Sequence, residues 1–352
     1  MRKLKIAIIF GGESTEHEVS IASGTSVIEN ISKEKYEIYQ IYIDKIGNWY
    51  EYKKEIDKIK TLEIKDTIEP KEKIEDIVGY LKNMDVAFPV LHGAKGEDGS
   101  IQGLFELSGI PYVGCKVLAS SVGMDKAYTK VIFEKAGINQ ARYEYIRKYK
   151  DNYIHIDKEF NETICTLDQI ASKIEQNIKY PMFIKPSNSG SSVGINKAKT
   201  KEELKKYIEI ASQLDCKILV EEGIQGKEVE CAVLGNEQVE ASCVGEIKPA
   251  EEFYSYNAKY SNEESKTIIP ADLEETIATK IQDLAIKAFK AIDGSGLSRV
   301  DFFVEEQTNK IYINEINTMP GFTKISMYPK LFEQSGITYT NLIDKLIELA
   351  IE

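Results

Sequence analysis

Histidine and tryptophan are scarce in this sequence, which has three histidines and one tryptophan among 352 residues. His17, His92 and His155 leave little room for a histidine-based metal centre or a catalytic triad. Five cysteines are present, at positions 115, 165, 216, 231 and 243. Because they are odd in number and include no C-x-x-C pair, we expect no disulfide framework and no structural zinc site. A reducing cytoplasm is the compartment that fits such a set.

Long apolar runs are also lacking, and no stretch approaches the roughly 18 residues that cross a bilayer. The N-terminal segment MRKLKIAIIFGGE has a basic start, but its short apolar run meets Gly-Gly-Glu and predicts a β-strand, not a signal peptide. With 57 acidic and 45 basic side chains the net charge is −12, which disfavours nucleic acid and anionic membranes as partners. Apolar residues make up 42% of the chain, enough for two or three domains with large cores.

The first third of the sequence alternates strands and helices. A strand over 5–10 ends in a glycine pair, and a helix over 18–30 and a strand over 36–43 follow it. A strand over 85–91 then ends in a second glycine-rich turn, HGAKGEDGS, which leads into another helix. This order predicts an α/β domain at residues 1–122 with a doubly wound parallel sheet, whose loops gather at the carboxyl ends of the strands.

The rest of the sequence predicts two α+β domains, at residues 123–223 and 224–352. For the middle domain we expect helices and strands at 124–136, 167–177, 180–185, 201–212 and 217–221. The last domain begins with strands and contains a polar segment rich in tyrosine, EEFYSYNAKYSNEESKT, before a helix over 272–292 with an apolar period of 3.6. That polar segment is either a mobile lid or an insertion without a role.

The sequence SRVDFFVEEQTNKIYINEIN, residues 298–317, predicts a β-hairpin. With its turn in EQTNK, the hairpin pairs Asp301 with Glu315. Arg299 then pairs with Asn317, and the four side chains share one face because alternate residues of a strand do so. Opposed carboxylates destabilise a sheet unless a cation lies between them, and oxygen ligands of this kind suit Mg²⁺ or Mn²⁺. The alternative is an exposed face with ordinary surface charges.

Two other segments are candidates for binding phosphate or substrate. In YPMFIKPSNSGSSVG, residues 180–194, an apolar strand delivers Lys185 to a loop of small residues whose backbone can approach an anion closely. A flexible surface loop has the same composition. In GGESTEHEVS, residues 11–20, Glu16 either stabilises a helix N-terminus or holds an ammonium group in the ligand crevice. His92, at the end of the next strand, is either a structural residue or part of that crevice.

Eight motifs, in order along nearly the whole chain, resemble those of the D-alanine–D-alanine ligases of the ATP-grasp superfamily. They are GGESTEHEVS, LHGAKGEDGSIQG, MDK, KPSNSGSSVG, VEEGIQGKE, EFYSYNAKY, SRVDFFV and NEINTMPGFT. The resemblance implies an ATP-grasp fold of three domains, in which the two α+β domains sandwich ATP. It also implies a homodimer and a role in peptidoglycan precursor synthesis in the cytoplasm.

The resemblance implies an ATP site and a metal site. The expected ATP-binding residues are Lys126, Lys185, Ser191, Ser192, Glu221, Glu228 and Lys259. Within this set, Lys126 and Lys185 would contact phosphates and the serine loop would close over them. Glu221 would accept from the adenine amino group, and Glu228 would hold the ribose hydroxyls. The expected ligands of two Mg²⁺ ions, or of Mn²⁺, are Asp301, Glu315 and Asn317.

The implied reaction is ATP + 2 D-alanine → D-alanyl-D-alanine + ADP + phosphate, through an acyl phosphate. The residues with implied catalytic roles are Glu16, Ser191, Tyr260, Arg299 and Gly321, and those with implied substrate contacts are Glu16, His92 and Ser326. Glu16 would bind the first D-alanine's ammonium group and Ser326 the second one's carboxylate. Arg299 and the Gly321 backbone would stabilise the oxyanion. Ser191 and Tyr260 would link the lid to Glu16.

The identity of the second substrate stays open. Lys324 and Ile325 precede Ser326 where family members commonly have Ser-His. The pair Lys259-Tyr260 favours an amine over the hydroxyl of D-lactate as the nucleophile. D-Serine remains an alternative second substrate, as does another carboxylate–amine pair.

A nucleotide-binding regulatory protein without turnover is an alternative of another class. The intact acids of the hairpin, together with Arg299, argue against it. An NAD-binding protein built on the first domain is excluded because the G-x-G-x-x-G fingerprint is missing.

Overall fold

The structure, a computed structural model, describes residues 2–53, 72–190, 193–248 and 266–352. Within these residues the strands form three sheets. The strands of the first are β1 (Leu4–Gly11), β2 (Tyr36–Ile43), β3 (Trp49–Tyr52), β4 (Glu72–Lys73) and β5 (Val86–Pro89), in the order β4-β3-β2-β1-β5. The helices of this part are α1 (His17–Asn30), α2 (Ile77–Leu81), α3 (Ser100–Ser108) and α4 (Val117–Met124).

The centre of the first sheet is parallel, as predicted. β1 pairs in parallel with both β2 and β5, while β3 and β4 add to one edge in antiparallel fashion. β1 and β5 are continuous apolar runs because both faces of a parallel sheet are covered. Their carboxyl ends lie side by side where the strand order reverses, which is where open α/β sheets bind ligands. The turns that follow them carry Glu16 and His92.

The second sheet is antiparallel in all its described pairings. Its strands are β6 (Tyr143–Tyr149), β7 (Asn152–Ile156), β8 (Glu162–Cys165), β9 (Met182–Pro186), β10 (Asn196–Ala198) and β11 (Lys217–Glu222), in the order β10-β9-β11-β6-β7-β8. Two amphipathic helices, α6 (Leu167–Asn177) and α7 (Lys201–Leu214), cover one face. A capping box between Thr166 and Gln169 fixes the start of α6.

The helix predicted at 124–136 is two helices in the structure. α4 ends at Met124, and α5 (Lys126–Lys135) begins after Asp125, whose backbone is extended. The Asp125 carboxylate accepts hydrogen bonds from the backbone N–H groups of Ala127 and Tyr128 and so caps α5. The sequence prediction missed α4 and merged its last residue with α5.

The third sheet carries the predicted hairpin. Its strands are β12 (Gly226–Gly235), β13 (Val239–Lys248), β14 (Lys266–Ile268), β15 (Gly296–Glu305) and β16 (Ile311–Asn317), in the order β14-β13-β12-β15-β16. Helix α8 (Glu275–Ala291) packs on one face through Ile281, Ala285 and Phe289, with the apolar period that the sequence predicted. It begins three residues later than predicted.

The two C-terminal helices join the first and third sheets into one core. α9 (Met327–Gln334) and α10 (Tyr339–Ile351) bury Tyr328, Phe332 and Leu346 in a cluster with Phe10 and Phe88 of the first sheet. Two of the three units therefore pack as one body.

The five cysteines all lie in the described residues and are free thiols. Among the described residues, none of the helices combines the length and apolar character that crossing a membrane requires.

Candidate active site

A cleft of about 580 Å³ lies between the second and third sheets and reaches the turns after β1 and β5. This volume is typical of small-molecule sites. Eleven of the residues singled out in the sequence line it: Glu16, His92, Lys126, Lys185, Glu221, Glu228, Arg299, Glu315, Asn317, Gly321 and Ser326. Residues far apart in the chain thus converge on one cleft, as the predicted site requires.

The hairpin has the predicted register at the site. In the pairing of β15 with β16, Asp301 lies opposite Glu315 and Arg299 opposite Asn317. The other face of β15 packs Val300, Phe302 and Val304 into the core, so the polar face is left for the cleft. The exposed-hairpin alternative is therefore wrong for this face. Asp301 does not line the cleft itself and is buried behind Arg299.

A β-bulge at Asn314 reconciles two conflicting patterns in β16. Ile311 and Ile313 pair with Val304 and Phe302, and the register then shifts before Glu315. The inserted Asn314 lets both isoleucines enter the core while Glu315 turns toward the cleft. Strict alternation would have put Ile313 and Glu315 on the same face.

Arg299 neutralises Asp301 in this structure. Its Nε donates to Asp301 Oδ1 and its Nη2 to Asp301 Oδ2, both at 2.7 Å. Arg299 Nε also lies 3.0 Å from Glu230 Oε2, and Asn317 Nδ2 donates to Asp301 Oδ2 at 3.1 Å. Burial alone would lower the pKa of Arg299, but the charges of Asp301 and Glu230 raise it well above its ordinary value. The guanidinium is thus a fixed positive charge among carboxylates.

The second carboxylate of the hairpin also faces a cation. Lys126 Nζ lies 3.7 Å from Glu315 Oε2. A metal ion is therefore not the only cation that lets Asp301 and Glu315 lie opposite each other. Arg299 and Lys126 supply positive charge to the pair, because distant segments bring them there.

The residues of the hairpin fit a magnesium site by their chemistry. Asp301, Glu315 and Asn317 offer oxygen donors only, which is what Mg²⁺ prefers. No three His, Cys, Asp or Glu side chains cluster as a metal cage within the described residues. An ion at two carboxylates and an amide needs further oxygen ligands, such as those of a phosphate chain. Both Asp301 oxygens accept from Arg299, so a metal there must share or displace that contact.

Two buried lysines hold Glu221, which lines the cleft from β11. Lys130 Nζ lies 2.9 Å from Glu221 Oε1, and Lys185 Nζ lies 2.7 Å from Glu221 Oε2. Lys185 also donates to Asn314 Oδ1 at 3.2 Å. Burial would raise the pKa of Glu221, but the charges and hydrogen bonds of the two lysines outweigh it and lower the pKa to about 2. Glu221 is therefore a carboxylate at any physiological pH.

The loop after β9 is tied to the start of α5. Ser187 donates from its Oγ to Asp125 Oδ1 at 2.7 Å, and Lys217 pairs with the other oxygen of Asp125. Lys126 donates from Nζ to the Ser189 carbonyl oxygen at 2.8 Å. These contacts bring Lys126 and the loop of small residues to the same end of the cleft, next to Lys185.

Glu16 joins the first unit to that loop. It is the N-cap residue of α1, but its side chain does not cap the helix. A methyl group on Gly93 would lie 2.7 Å from Glu16 Oε2, and one on Gly190 would lie 2.9 Å from the same atom. Glu16 is 6% exposed and lines the cleft. Of the two interpretations given from the sequence, the structure favours a cleft residue over a capping one.

His92 is buried beside Glu16 in a hydrogen-bond network. Its Nδ1 donates to the Met319 carbonyl oxygen at 3.1 Å, and its Nε2 lies 2.9 Å from Ser23 Oγ. Glu97 Oε1 is 3.6 Å from Nδ1. Burial lowers the pKa of His92, but the hydrogen bond and charge of Glu97 outweigh it and leave the pKa above its ordinary value. His92 is thus both structural and a cleft residue.

Gly321 and Ser326 line the cleft just before the start of α9. Ser326 is the N-cap residue of α9, and its Oγ accepts from the Thr323 backbone N–H at 3.0 Å. A methyl group on Gly321 would lie 2.8 Å from Ser326 Oγ, so the two are in close contact. A helix N-terminus that faces a cleft favours a carboxylate ligand.

Four predicted site residues lie outside the described part of the chain. They are Ser191, Ser192, Lys259 and Tyr260.

Several residues that line the cleft or lie directly behind it were not predicted from the sequence. Lys130 had a signal, because it follows Lys126 by four positions and shares its helix face. Glu230 follows Glu228 by two on one face of β12, so it also had one. Asn314 had none, since its place in the cleft depends on the bulge.

Comparison with known proteins gives the same family along the whole chain. The family model described as D-ala D-ala ligase N-terminus matches residues 5–115, and the one described as D-ala D-ala ligase C-terminus matches residues 132–348. A D-alanine--D-alanine ligase of Acetivibrio thermocellus is 51% identical over 99% of this chain and 96% of its own. One of Caldicellulosiruptor bescii is 49% identical over 100% of this chain and 96% of its own.

Solved structures agree with these matches. The VanG D-Ala:D-Ser ligase from Enterococcus faecalis superposes with a TM-score of 0.85 at 38% identity, covering 99% of this chain and all of its own. The D-alanine-D-alanine ligase from Coxiella burnetii has a TM-score of 0.81 at 35% identity, covering 100% and 94%. The predicted ATP-grasp fold is thereby confirmed. The chain belongs to the D-alanine–D-alanine ligase family.

Proposed function

We propose that this protein is an ATP-dependent ligase that joins two D-alanine molecules into D-alanyl-D-alanine, a precursor of peptidoglycan. The observation that carries the proposal is the convergence of Lys126 and Lys185 with Arg299 and Glu315 of the hairpin on one cleft. Phosphoryl transfer needs such a concentration of charge more than it needs covalent chemistry. Glu16 and Ser326 then mark two regions of the cleft for the two amino acids.

ATP binds in the proposal along the cleft between the second and third sheets. Glu221 accepts from the adenine amino group, and its low pKa keeps it an acceptor. Glu228 holds the ribose. Lys126, Lys185 and the loop with Ser191 and Ser192 hold the phosphates, with Lys259 as a further contact. The apolar side chains Phe183, Ile224 and Phe303, which also line the cleft, suit a flat base.

Asp301, Glu315 and Asn317 would hold two Mg²⁺ ions, or Mn²⁺, together with phosphate oxygens. When bound, the metal supplies positive charge that stabilises the transferred phosphoryl group. Arg299 lies on the same face of the hairpin and carries a permanent positive charge that can act on the same phosphoryl group.

The chemistry proceeds in two steps. A carboxylate oxygen of the first D-alanine attacks the γ-phosphorus, the bond to the β-phosphate oxygen breaks, and ADP leaves. The amine of the second D-alanine, having lost a proton, attacks the acyl carbon of the acyl phosphate. The C–O bond to the phosphoryl group then breaks, and phosphate leaves with the carboxylate oxygen. The tetrahedral oxyanion between these events needs fixed donors, and we assign Arg299 and the Gly321 backbone N–H to it.

The first D-alanine lies at Glu16 and His92 in this proposal. Glu16 binds its ammonium group, since a carboxylate that lines the cleft attracts an opposite charge. Ser326 and the N-terminus of α9 bind the carboxylate of the second D-alanine. Ser191 and Tyr260 link to Glu16 and close the site, which protects the acyl phosphate from water.

The proposal also covers the domain boundaries, the oligomeric state and compartment, and the binding partners. The domain boundaries are 1–122, 123–223 and 224–352, supported by the three sheets, each of which falls within one range. The protein is a homodimer and works in the cytoplasm, where the family's substrates are made. Its partners are ATP and D-amino acids, and neither nucleic acid nor membrane.

A D-alanine–D-serine ligase is the second candidate. The likeness to the VanG D-Ala:D-Ser ligase favours it, with 38% identity and full coverage of that chain. Lys324, which forms an ion pair with Glu29 of α1 at 2.9 Å, precedes Ser326 at the second substrate's end of the cleft.

The test is product identification by mass spectrometry from ATP, Mg²⁺ and an equal mixture of D-alanine and D-serine. We expect D-alanyl-D-alanine as the main product, with ADP and phosphate. D-Alanyl-D-serine as the main product would favour the second candidate. ATP binding without phosphate release that depends on D-alanine would favour a regulatory protein instead.

A further inference from the structure

Lys130 is a buried lysine that the proposed reaction does not use. It lies on α5 one helical turn after Lys126, and its side chain is 4% exposed. Its Nζ is 2.9 Å from Glu221 Oε1 and 5.2 Å from the ring centre of Tyr143. Lys126, Lys185 and Glu221 line the cleft, whereas Lys130 is not among the lining residues. Lys130 therefore acts on the cleft through Glu221.

The two lysines that pair with Glu221 differ in their access to the cleft and in their other partners. Lys185 lines the cleft and has Asn314 as a second partner, so it can turn toward a phosphate without losing every contact. Lys130 is enclosed, and Glu221 is the carboxylate with which it pairs. Separating a buried ion pair costs several kcal/mol, so Lys130 and Glu221 stay together.

We propose that Lys130 is a positioning residue for recognition of the adenine ring. It holds Glu221 in one orientation by Oε1, while Oε2 passes from Lys185 to the adenine 6-amino group when ATP binds. The inference rests on the proposed function, in which Glu221 accepts from that amino group and Lys185 binds phosphate.

This arrangement gives Lys130 a role in selecting the base. Once Lys185 has moved to the phosphates, Lys130 is the cation that remains on Glu221. Without it, Glu221 would be a buried carboxylate with no charge partner, and such a group takes up a proton. A protonated carboxyl can donate to the 6-oxo group of hypoxanthine or guanine as readily as it accepts from adenine. Lys130 therefore sets the preference for a 6-amino over a 6-oxo purine.

The experiment compares the Kd values of ATP and inosine triphosphate by titration calorimetry with Mg²⁺. Lys130→Met removes the ammonium group and keeps the length of the side chain. A hydrogen bond to a charged group contributes about 1.5–3 kcal/mol, so we expect ATP binding to weaken about tenfold to a hundredfold. Binding of inosine triphosphate should weaken much less. The ratio of the Kd of inosine triphosphate to the Kd of ATP should therefore fall about tenfold or more. Lys130→Arg should keep most of the wild-type ratio.

Lys135→Met is the matched control, since Lys135 is an exposed lysine on the same helix. It should leave both Kd values unchanged. If Lys130→Met weakens binding of both nucleotides equally, the ratio of the two Kd values is unchanged. That result would overturn the inference and leave Lys130 a purely structural residue.

A second variant covers the case in which Lys130→Met does not fold. In Lys130→Met/Glu221→Gln both buried charges are removed together, and the neutral amide can accept from adenine and donate to a 6-oxo purine. The ratio of the two Kd values should then approach one, and a preference for ATP equal to that of the wild type would overturn the inference. If the wild-type protein binds no ATP, the proposed function fails as well. If it binds ATP and Lys130→Met keeps the wild-type preference, the inference on Lys130 fails alone. If the double variant keeps that preference, the role of Glu221 in the proposed function fails with it.

Discussion

Arg299 and Asp301 form a bidentate ion pair along one face of β15, with both N···O distances at 2.7 Å. They are two residues apart, so the strand itself places them together. Glu230 on the neighbouring strand β12 also contacts Arg299, at its Nε. A magnesium ion that binds Asp301 must compete with this guanidinium. We therefore expect metal binding and the release of Arg299 toward the reacting groups to be coupled.

Glu315→Gln should abolish most turnover while the protein stays folded. Glu315 is a half-buried acid opposite Lys126, so its loss costs little packing. Loss of several kcal/mol of charge stabilisation should lower the rate about a hundredfold or more. The measurement is phosphate release with ATP and D-alanine, and circular dichroism checks the fold. Asp301→Asn should lower the rate as strongly, and it should also lower stability because Asp301 is buried and paired with Arg299.

Glu237→Gln is the control for these two variants. Glu237 is an exposed acid in the turn between β12 and β13, away from the cleft. Its replacement changes the net charge by the same amount and should leave the rate unchanged. A Glu315→Gln protein as active as this control would contradict the metal assignment.

Glu16→Gln should weaken binding of the first D-alanine and leave binding of ATP unchanged. A neutral amide keeps the shape beside Gly93 and Gly190 but loses attraction for an ammonium group. We expect KM for D-alanine to rise about tenfold or more, as for loss of a hydrogen bond to a charged group. The Kd of ATP should not change. Glu18→Gln, two residues further on the exposed side of α1, is the control, and an equal effect of both variants would count against the role of Glu16.

Stability should depend on Glu221 in a defined pH window. Its pKa in the fold, about 2, is below the ordinary value of 4.5, so its contribution is fully present above pH 4.5 and is lost as the pH falls through 2. Glu221→Gln leaves two buried lysines without their carboxylate and should lower the free energy of unfolding by about 3–5 kcal/mol at neutral pH. Urea unfolding at several pH values should show this difference shrinking between pH 4.5 and pH 2. A difference that stays constant over that window would contradict the pairing with Lys130 and Lys185.

Tyr260→Phe should slow turnover more than it weakens ATP binding. Tyr260 lies outside the described residues, and its role in closing the site stays a prediction. Loss of one hydroxyl removes the expected link to Glu16 but leaves the nucleotide contacts in place. Steady-state rates and calorimetric Kd values for ATP test this directly, and an unchanged rate would remove Tyr260 from the site.

The hairpin illustrates what the sequence predicts well. Alternation in the two strands and the polar turn between them placed Asp301 opposite Glu315, which the structure confirms. Nearer the turn, the pairing of the two strands is shifted by one residue relative to that prediction, since Phe302 pairs with Ile313 and Val304 with Ile311. The bulge at Asn314 restores the predicted pairing at the site. A bulge depends on how the isoleucines pack in three dimensions, and no local pattern in the sequence signals it.

The charges around the hairpin illustrate what the sequence does not predict. Lys126 reaches Glu315 from α5, and Glu230 reaches Arg299 from β12. Neither pair is visible from local spacing, because both depend on how the sheets pack together. For the same reason, the packing of α9 and α10 into the core of the first sheet could not be predicted from the sequence.

The acyl phosphate is the centre of this account, and oxygen transfer tests it most directly. D-Alanine labelled with ¹⁸O in its carboxylate is incubated with the protein, ATP and Mg²⁺, and the released phosphate is analysed by mass spectrometry. Each phosphate should carry one ¹⁸O atom, because the bond that breaks in the second step lies between carbon and that oxygen. Phosphate without label, or AMP in place of ADP, would contradict the mechanism.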